Sequence, residues 1–181
     1  MAMSEKLNKT LRNFIERQHV FFVATAGRDG RVNVSPKGLN TLRIVDDQAI
    51  SWLNLSGSGN ETAVHVLETG RMTLMFCSFE GAAMILRVYG KATVLHPKDN
   101  DWESELTNYP ALAGSRQIFK LAIDLVQTSC GSGVPEMTFS HSRGEKDLVP
   151  FYEKMGTEGV REYWARKNTI SIDGKPTGIF D

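Results

Sequence analysis

A short apolar run, a glycine-rich loop and a helical pattern, in that order, constrain the fold of this chain more than any other stretch. Residues 50–55 are mostly apolar or aromatic and are bounded by turn formers, which predicts a strand. After the loop at 57–60, the apolar residues of 61–67 recur at helical spacing. This pattern predicts a helix with Asn60 as its N-cap and Gly70 as its stop signal.

A helix that begins after a glycine-rich loop can bind an anionic group, because free amides and a partial positive charge converge there. The loop is not a P-loop, since no Gly-Lys-Ser/Thr follows it, and Thr62 stands where a dinucleotide fingerprint has its third glycine. Glu61 would compete with a bound anion. An anion site and an ordinary strand-to-helix connection therefore both remain open for this loop.

Strands in hairpins dominate the chain. The predicted strands occupy residues 20–26, 31–35, 42–45, 50–55, 71–79, 82–95 and 119–125. Pro36 is expected to end the second strand, and Gly90 indicates a bulge or a close backbone approach inside the sixth. About seven strands with one helix between them predict a mainly β fold with peripheral helices, a small antiparallel barrel.

Helical patterns flank these strands. The first begins near Ser4 and places Leu7, Leu11, Phe14 and Ile15 on one face. Others occupy residues 102–106, 148–155 and 160–167. The 181 residues fit a single domain spanning 1–181.

Charge and cysteine content exclude several classes of function. Lys+Arg and Asp+Glu are 21 each, so no overall positive charge favours nucleic acid or an anionic membrane. Cys77 and Cys130 form neither a disulfide framework nor a zinc spacing, which is typical of a reducing compartment. No apolar run approaches the length of about 20 residues that spans a bilayer, and residues 1–9 lack a signal-peptide core. We expect a cytoplasmic protein.

Several motifs, in order and spacing, resemble the pyridoxamine 5′-phosphate oxidase-like family. The matching segments are Asn-Val-Ser-Pro-Lys-Gly at 33–38, residues 57–63, Gly-Arg at 70–71, residues 86–92, residues 129–135 and residues 163–174. The resemblance implies an FMN-binding split β-barrel, and a homodimer that holds flavin between its subunits. Residues 129–135 and 163–174 resemble a branch of the family without a settled substrate.

The resemblance also implies which residues contact the flavin. They are Ser35, Pro36, Lys37, Gly38, Trp52, Leu53, Asn60, Glu61, Thr62, Arg87 and Trp164. Lys37 would reach a phosphate or the electron-rich edge of the ring, and a solvated turn lysine is the alternative. The helix start lacks the Arg-Lys pair usual in pyridoxamine phosphate oxidases proper, so the phosphate would rest on amides, the Thr62 hydroxyl and basic groups from elsewhere.

For two of these residues, Arg87 and Trp164, a structural role explains the sequence as simply as contact with flavin does. Arg87 interrupts an apolar run, and a buried guanidinium needs an anionic partner. A flavin phosphate, a structural ion pair and exposure on the outer face all remain open for it. Trp164 is either a packing residue or a cover for flavin across the subunit interface.

Other reactive side chains indicate no separate chemistry. Cys130 with His141 as base would suggest nucleophilic catalysis, but a backbone requirement of the glycine-rich loop accounts for Cys130 better. The remaining histidines have no metal-ligand spacing, so no metal is predicted.

The resemblance implies an FMN-dependent oxidoreductase that acts on a small molecule or accepts electrons from a nicotinamide or deazaflavin donor. We expect little oxidation of pyridoxamine 5′-phosphate, because residues 174–181 contain one basic residue, Lys175. The alternatives are a flavin-binding stress protein without turnover and a haem-binding split barrel.

Overall fold

The alternating apolar residues of the sequence face one side of an antiparallel sheet, and two of the helices pack on that side. The computed structural model describes residues 2–180. The strands are, in chain order, β1 (Ala2–Ser4), β2 (Phe21–Thr25), β3 (Asn33–Lys37), β4 (Leu42–Ile44), β5 (Ala49–Leu55), β6 (Arg71–Cys77), β7 (Ile85–Leu95) and β8 (Ser115–Ser129). The helices are α1 (Lys9–Glu16), α2 (Glu61–Thr69), α3 (Trp102–Leu106) and α4 (Val149–Lys167), the last preceded by a π-helical turn (Gly144–Leu148).

The sheet is a curled, open half-barrel. Its strand order is β3-β2-β6-β7-β8-β5-β4, and β1 pairs with the end of β8. Neighbours in this path are antiparallel, and β3 and β4 are its two ends. The structure thus confirms the predicted antiparallel split-barrel architecture.

The main core fills the concave side of the half-barrel. Trp52 stacks on Phe119 with ring centroids 4.6 Å apart, and Phe21 packs against the edge of Trp52. Phe14 of α1 and Ala63 of α2 belong to the same buried cluster. Burying one large apolar side chain stabilises a fold by about 1.5–3 kcal/mol. On the other face, a second cluster packs α3 against β5 and β8 and comprises Leu53, Trp102, Tyr109 and Ile118.

Two glycine predictions are confirmed. Gly70 ends α2 in a left-handed conformation with a φ of 65°, which a glycine adopts without steric cost. At Gly90 the register between β7 and β8 shifts, and a Cβ atom there would lie 1.9 Å from the backbone oxygen of Ala122. The sheet therefore contains the bulge and the close backbone approach that Gly90 indicated.

Two predicted boundaries are wrong. Helix α1 begins at Lys9 rather than near Ser4, because the Asn8 side chain caps it by accepting a hydrogen bond from the Leu11 amide. Ser4 instead lies in β1. Pro36 does not end β3, which continues to Lys37. Because β3 is an edge strand, the missing N–H of Pro36 does not interrupt a ladder.

The final helical region is interrupted, as the two separate predicted segments at 148–155 and 160–167 indicate. Helix α4 runs from Val149 to Lys167, but Gly156 inside it has φ 68° and ψ 171°, which breaks the helix. The third hairpin is shorter than predicted, since β6 ends at Cys77 and β7 begins at Ile85. Among the described residues, no helix is both long and apolar enough to cross a membrane.

Candidate functional site

A groove of about 1280 Å³ lies between the two ends of the sheet. Its wall includes Lys37 at the end of β3 and Ile44 of β4. The other lining residues come from the end of α1 and the segment after it (15–21), from the β3–β4 connection with the strand residues beside it (36–43) and from 139–148, with Phe76 behind them. His19 stacks on Phe139 at 3.8 Å, so the 139–148 segment is held against the residues that follow α1.

Lys37 is a half-buried cation in the wall of this groove. Its Nζ atom donates to Asn54 Oδ1 at 3.1 Å and lies 5.4 Å from the centroid of the Trp52 ring. Burial, together with the nearby charge of Arg116, lowers the pKa of Lys37 to about 8, and Glu61 opposes both effects. Within residues 2–180, no carboxylate forms an ion pair with Lys37.

The inward face of β3 carries a row of polar side chains. At one end of the row Asn33 donates to Thr62 Oγ1 at 3.1 Å, and at the other Lys37 donates to Asn54. Both ends are therefore hydrogen-bonded to other elements of the half-barrel. Ser35 lies between them. Its buried hydroxyl has no hydrogen-bond partner in the part of the chain that the structure describes, and neither does the buried Nε1 of Trp52.

Side-chain amides continue from Lys37 into the interior. Asn54 Nδ2 donates to Gln117 Oε1 at 3.0 Å, and Gln117 Nε2 donates to Asn60 Oδ1 at 3.0 Å. Asn60 Nδ2 then donates to the backbone carbonyl of Asn168 at 3.1 Å. Asn60 therefore precedes α2 as predicted but makes no side-chain cap, because both ends of its amide are used elsewhere.

Arg116 occupies a bulge where the register between β5 and β8 shifts after Asn54. It is 3% exposed, and its NH1 donates to the Gly59 carbonyl at 3.0 Å. Burial lowers the pKa of Arg116 to about 10, although Tyr152 and Glu61 favour its charged form. A positive charge thus lies directly behind the glycine-rich loop.

The C-terminal part of the chain covers the outside of this loop. Trp164 Nε1 donates to Ser56 Oγ at 2.6 Å, and Asn168 Nδ2 donates to the Gly57 carbonyl at 2.9 Å. The Ile172 amide donates to Glu61 Oε1 at 3.2 Å. Within one chain, the start of α2 is therefore packed by residues 164–172.

Eight of the eleven predicted site residues lie in two places. Ser35, Pro36, Lys37, Gly38 and Trp52 lie together at the groove or behind it, whereas Asn60, Glu61 and Thr62 lie at the start of α2.

The remaining predicted contacts lie elsewhere. Leu53 points to the outer face beneath α3. Arg87 donates to Ser129 Oγ at 3.2 Å, on the face opposite the buried Leu86 and Val88. Trp164 contacts Ser56 of its own chain.

Cys130 and His141 are not brought together as a nucleophile and base. Hydrogen bonds from Ser132 lower the pKa of the exposed Cys130 thiol. His141 contacts the neighbouring Ser140 hydroxyl instead. Across residues 2–180, no group of three or more His, Cys, Asp or Glu side chains is arranged to hold a metal ion.

Sequence reasoning missed Asn33, Asn54, Arg116 and Gln117. A signal for two of them was present, because Asn54 is in phase with Ile50 and Trp52, and Gln117 is in phase with Phe119. An amide in phase with an apolar face must be hydrogen-bonded once it is buried.

The arrangement favours a ligand with several acceptor atoms and some negative charge. Lys37 lines the groove and offers an ammonium group without an acidic partner, and the unpartnered donors of Ser35 and Trp52 are buried behind the groove wall. Phe21 and Phe76 add aromatic surface to the wall of the groove. A flat, polar aromatic molecule matches these properties.

Comparison with known proteins gives a consistent result. A family model described as pyridoxamine 5′-phosphate oxidase matches residues 7–130. The chain is 34% identical over 188 aligned residues to the pyridoxamine 5′-phosphate oxidase family protein ustO of Aspergillus flavus, and the match covers 95% of this chain and 76% of that protein.

Solved structures share the architecture at lower identity. HupZ of Group A Streptococcus is 16% identical with a TM-score of 0.55, and the match covers 72% of this chain and 99% of HupZ. A Lactobacillus delbrueckii protein, provisionally assigned as a pyridoxamine 5′-phosphate oxidase, is 20% identical with a TM-score of 0.55. The match covers 68% of this chain and 95% of that protein. At these identities the likeness shows the fold alone.

Proposed function

The chain belongs to the pyridoxamine 5′-phosphate oxidase family, and we propose that it is an FMN-dependent oxidoreductase whose flavin binds beside Lys37. The main support for this proposal is the set of donors at Lys37 in the groove wall and buried directly behind that wall. Lys37 has no acidic partner, and the Ser35 hydroxyl and the Trp52 indole nitrogen have no hydrogen-bond partner among the described residues. The carbonyl oxygens and nitrogens of a flavin ring accept hydrogen bonds from such donors.

The size of the groove supports the same proposal. Ligand pockets are commonly about 300–1,000 Å³, and the groove is about 1280 Å³. A flavin would leave room for a small-molecule substrate, or for the reactive end of a nicotinamide or deazaflavin donor. The bound flavin would supply hydride transfer, whereas the protein would orient the reactants and provide charge.

In this proposal, different parts of the chain hold different parts of FMN. Ser35, Pro36, Lys37, Gly38 and Trp52 would contact the ring. Residues 60–62 would approach the phosphate, with the charge of Arg116 behind them in place of the absent Arg-Lys pair.

Leu53, Arg87 and Trp164 lie away from Lys37 within one chain, so they require a second copy if they are to contact the same flavin. A homodimer with flavin between its subunits would meet that requirement. We therefore propose the homodimer together with the cofactor.

The experiment that tests turnover is flavin reduction in the FMN-loaded protein. We expect NADPH, NADH or a reduced deazaflavin to bleach the flavin absorbance within seconds, followed by reoxidation with an acceptor. A flavin that stays oxidised with all three donors would contradict an oxidoreductase and favour a flavin-storing protein. An intense haem band in the visible spectrum of the purified protein would favour the haem alternative.

A further inference from the structure

A line of buried amides connects the groove to the C-terminal part of the chain. It runs from Lys37 through the side chains of Asn54, Gln117 and Asn60 to the backbone carbonyl of Asn168, with distances of 3.1, 3.0, 3.0 and 3.1 Å. Asn54, Gln117 and Asn60 are 3%, 0% and 2% exposed. Because water has little access to them, each amide depends on its neighbours for hydrogen bonds.

The amides of this line are all oriented in the same way. Every amide accepts through its oxygen on the Lys37 side and donates through its nitrogen toward Asn168. The backbone carbonyl of Asn168 can only accept, so it forces the nitrogen of Asn60 toward itself. The oxygen of Asn60 then accepts from the nitrogen of Gln117, and the oxygen of Gln117 accepts from the nitrogen of Asn54. The oxygen of Asn54 is therefore left facing Lys37.

We infer that Asn54, Gln117 and Asn60 are positioning residues for Lys37, oriented from the Asn168 carbonyl. The line presents a fixed acceptor that holds the Lys37 ammonium against the groove wall and favours its charged form. This inference builds on the proposed role of Lys37 in ligand binding. It adds that residues far from the groove, including the C-terminal segment, determine the charge offered to the ligand.

Two other groups act on Lys37 from neighbouring elements and must be separated from the amide line. Arg116 of β8 disfavours the ammonium, whereas Glu61 at the start of α2 favours it. Neither is a member of the line. Neutral substitutions within the line leave both charges in place, so they isolate the contribution of amide orientation.

The test measures the pKa of Lys37 by the pH titration of its ¹³Cε resonance in lysine-labelled full-length protein, assigned by its loss in Lys37→Arg. Gln117→Met keeps the side-chain length and removes both hydrogen bonds. The Asn54 nitrogen then has no acceptor, so only Lys37 itself holds the Asn54 oxygen in place. We expect the pKa of Lys37 to fall by about one unit, because a hydrogen bond to a charged group favours that charge.

Asn60→Ser gives a second and more distant test. It removes the acceptor of Gln117 without touching Asn54 or Lys37, and serine is a favourable residue at a helix N-cap, so α2 should still form. We expect a fall in the pKa of Lys37 in the same direction as with Gln117→Met. Gln117→Glu, which keeps the acceptor for Asn54 and adds a negative charge, should leave this pKa unchanged or raise it.

Ile118→Ala is the matched control. Ile118 is also fully buried on β8, but it belongs to the cluster on the other face. It should lower the melting temperature without moving the titration of Lys37. The inference is overturned if neither Gln117→Met nor Asn60→Ser shifts the pKa of Lys37, or if Ile118→Ala shifts it equally. Since no flavin is added, a failure of the FMN proposal would not affect this result.

Discussion

The Nζ atom of Lys37 lies 3.1 Å from Oδ1 of Asn54, and this hydrogen bond joins two strands that are far apart in the sheet. Lys37 ends β3, which is one end of the strand order, and Asn54 lies on β5, next to the other end. The contact thus spans the open side of the half-barrel. Lys37 lines the groove, lies near the unpartnered donors of Ser35 and Trp52, and forms one end of the buried amide line.

The close approach at Gly90 predicts a large loss of stability in Gly90→Ala. The added Cβ would lie 1.9 Å from the Ala122 oxygen, so β7 and β8 would have to separate. We expect a loss of more than about 2 kcal/mol in the free energy of unfolding, measured with urea, since overpacking of this kind forces the backbone to move. Gly133→Ala, where the added atom meets nothing within 4 Å, is the control and should be nearly neutral. Equal stability of both variants would contradict the close packing of β7 against β8.

Acid should destabilise the protein through His96. Burial, at 4% exposure, lowers the pKa of His96 to about 4, and neither ring nitrogen has a hydrogen-bond partner within residues 2–180. Between about pH 6.5 and pH 4 the unfolded chain binds a proton that the folded chain does not, so stability falls as pH falls. Over that interval His96 should account for a loss of about 2–3 kcal/mol.

His96→Leu tests this assignment. The variant should lose less stability than the parent protein between about pH 7 and pH 5, as measured by chemical denaturation at each pH. His141→Ala removes an exposed histidine of the 139–148 segment and serves as the control. An unchanged pH dependence in His96→Leu would show that other groups are responsible.

FMN-loaded protein should oxidise pyridoxamine 5′-phosphate poorly. A dianionic phosphate requires several charged donors, but the Arg43 guanidinium already donates to oxygen atoms of Asn40, Leu42 and Asn108. Of the other charged residues that line the groove, Arg143 is offset by Glu16 and Glu145, so three cations and two carboxylates leave a formal charge of only +1. We expect pyridoxal 5′-phosphate formation under air to be slower than about 1 per second, the lower end of typical enzyme turnover. Faster turnover would show that the groove provides more charge than its hydrogen bonds suggest.

The exposed apolar edge strand predicts a two-fold dimer. Val34 on β3 is 61% exposed, although it lies beside the half-buried Phe22 and Ala24 of β2. Light scattering at micromolar concentration should give twice the mass of one chain, and Val34→Lys should weaken association. Val45→Lys, at a position that is 62% exposed in the β4–β5 turn, is the matched control. A monomer mass for the parent protein would contradict the dimer.

Local patterns in the sequence predicted the parts of the fold that depend on interactions between residues close together in the chain. Alternation predicted β8, where Phe119, Leu121 and Ile123 are buried and Lys120 is exposed. Gly90 was predicted as a bulge because a glycine inside a strand weakens it and commonly marks a bulge or a close backbone approach. These features depend on neighbouring residues or on the period of one strand.

Contacts between distant parts of the chain were not predictable in the same way. Ser4 was assigned to a helix because its pairing with Val126 of β8 cannot be read from nearby residues. The hydrogen bond between Asn60 and Asn168 spans 108 positions, as does that between Ser56 and Trp164. Asn60 was predicted as a helix cap because that is its local role, whereas the tertiary structure uses its amide in the buried line.

Flavin binding beside Lys37 can be tested by an FMN titration, followed by quenching of flavin fluorescence, for the parent protein, Lys37→Met and Lys91→Met. Lys91 is an exposed lysine that donates to one backbone carbonyl, so its removal leaves the groove intact. The parent protein and Lys91→Met should bind FMN in preference to FAD, and binding should weaken as pH rises through about 8, where Lys37 loses its charge. Lys37→Met should bind about tenfold or more weakly at about pH 7, since a hydrogen bond to a charged group contributes about 1.5–3 kcal/mol, and should lose this pH dependence. A parent protein that is colourless and does not quench FMN fluorescence, or a Lys37→Met variant that binds FMN as the parent does, would contradict flavin binding beside Lys37.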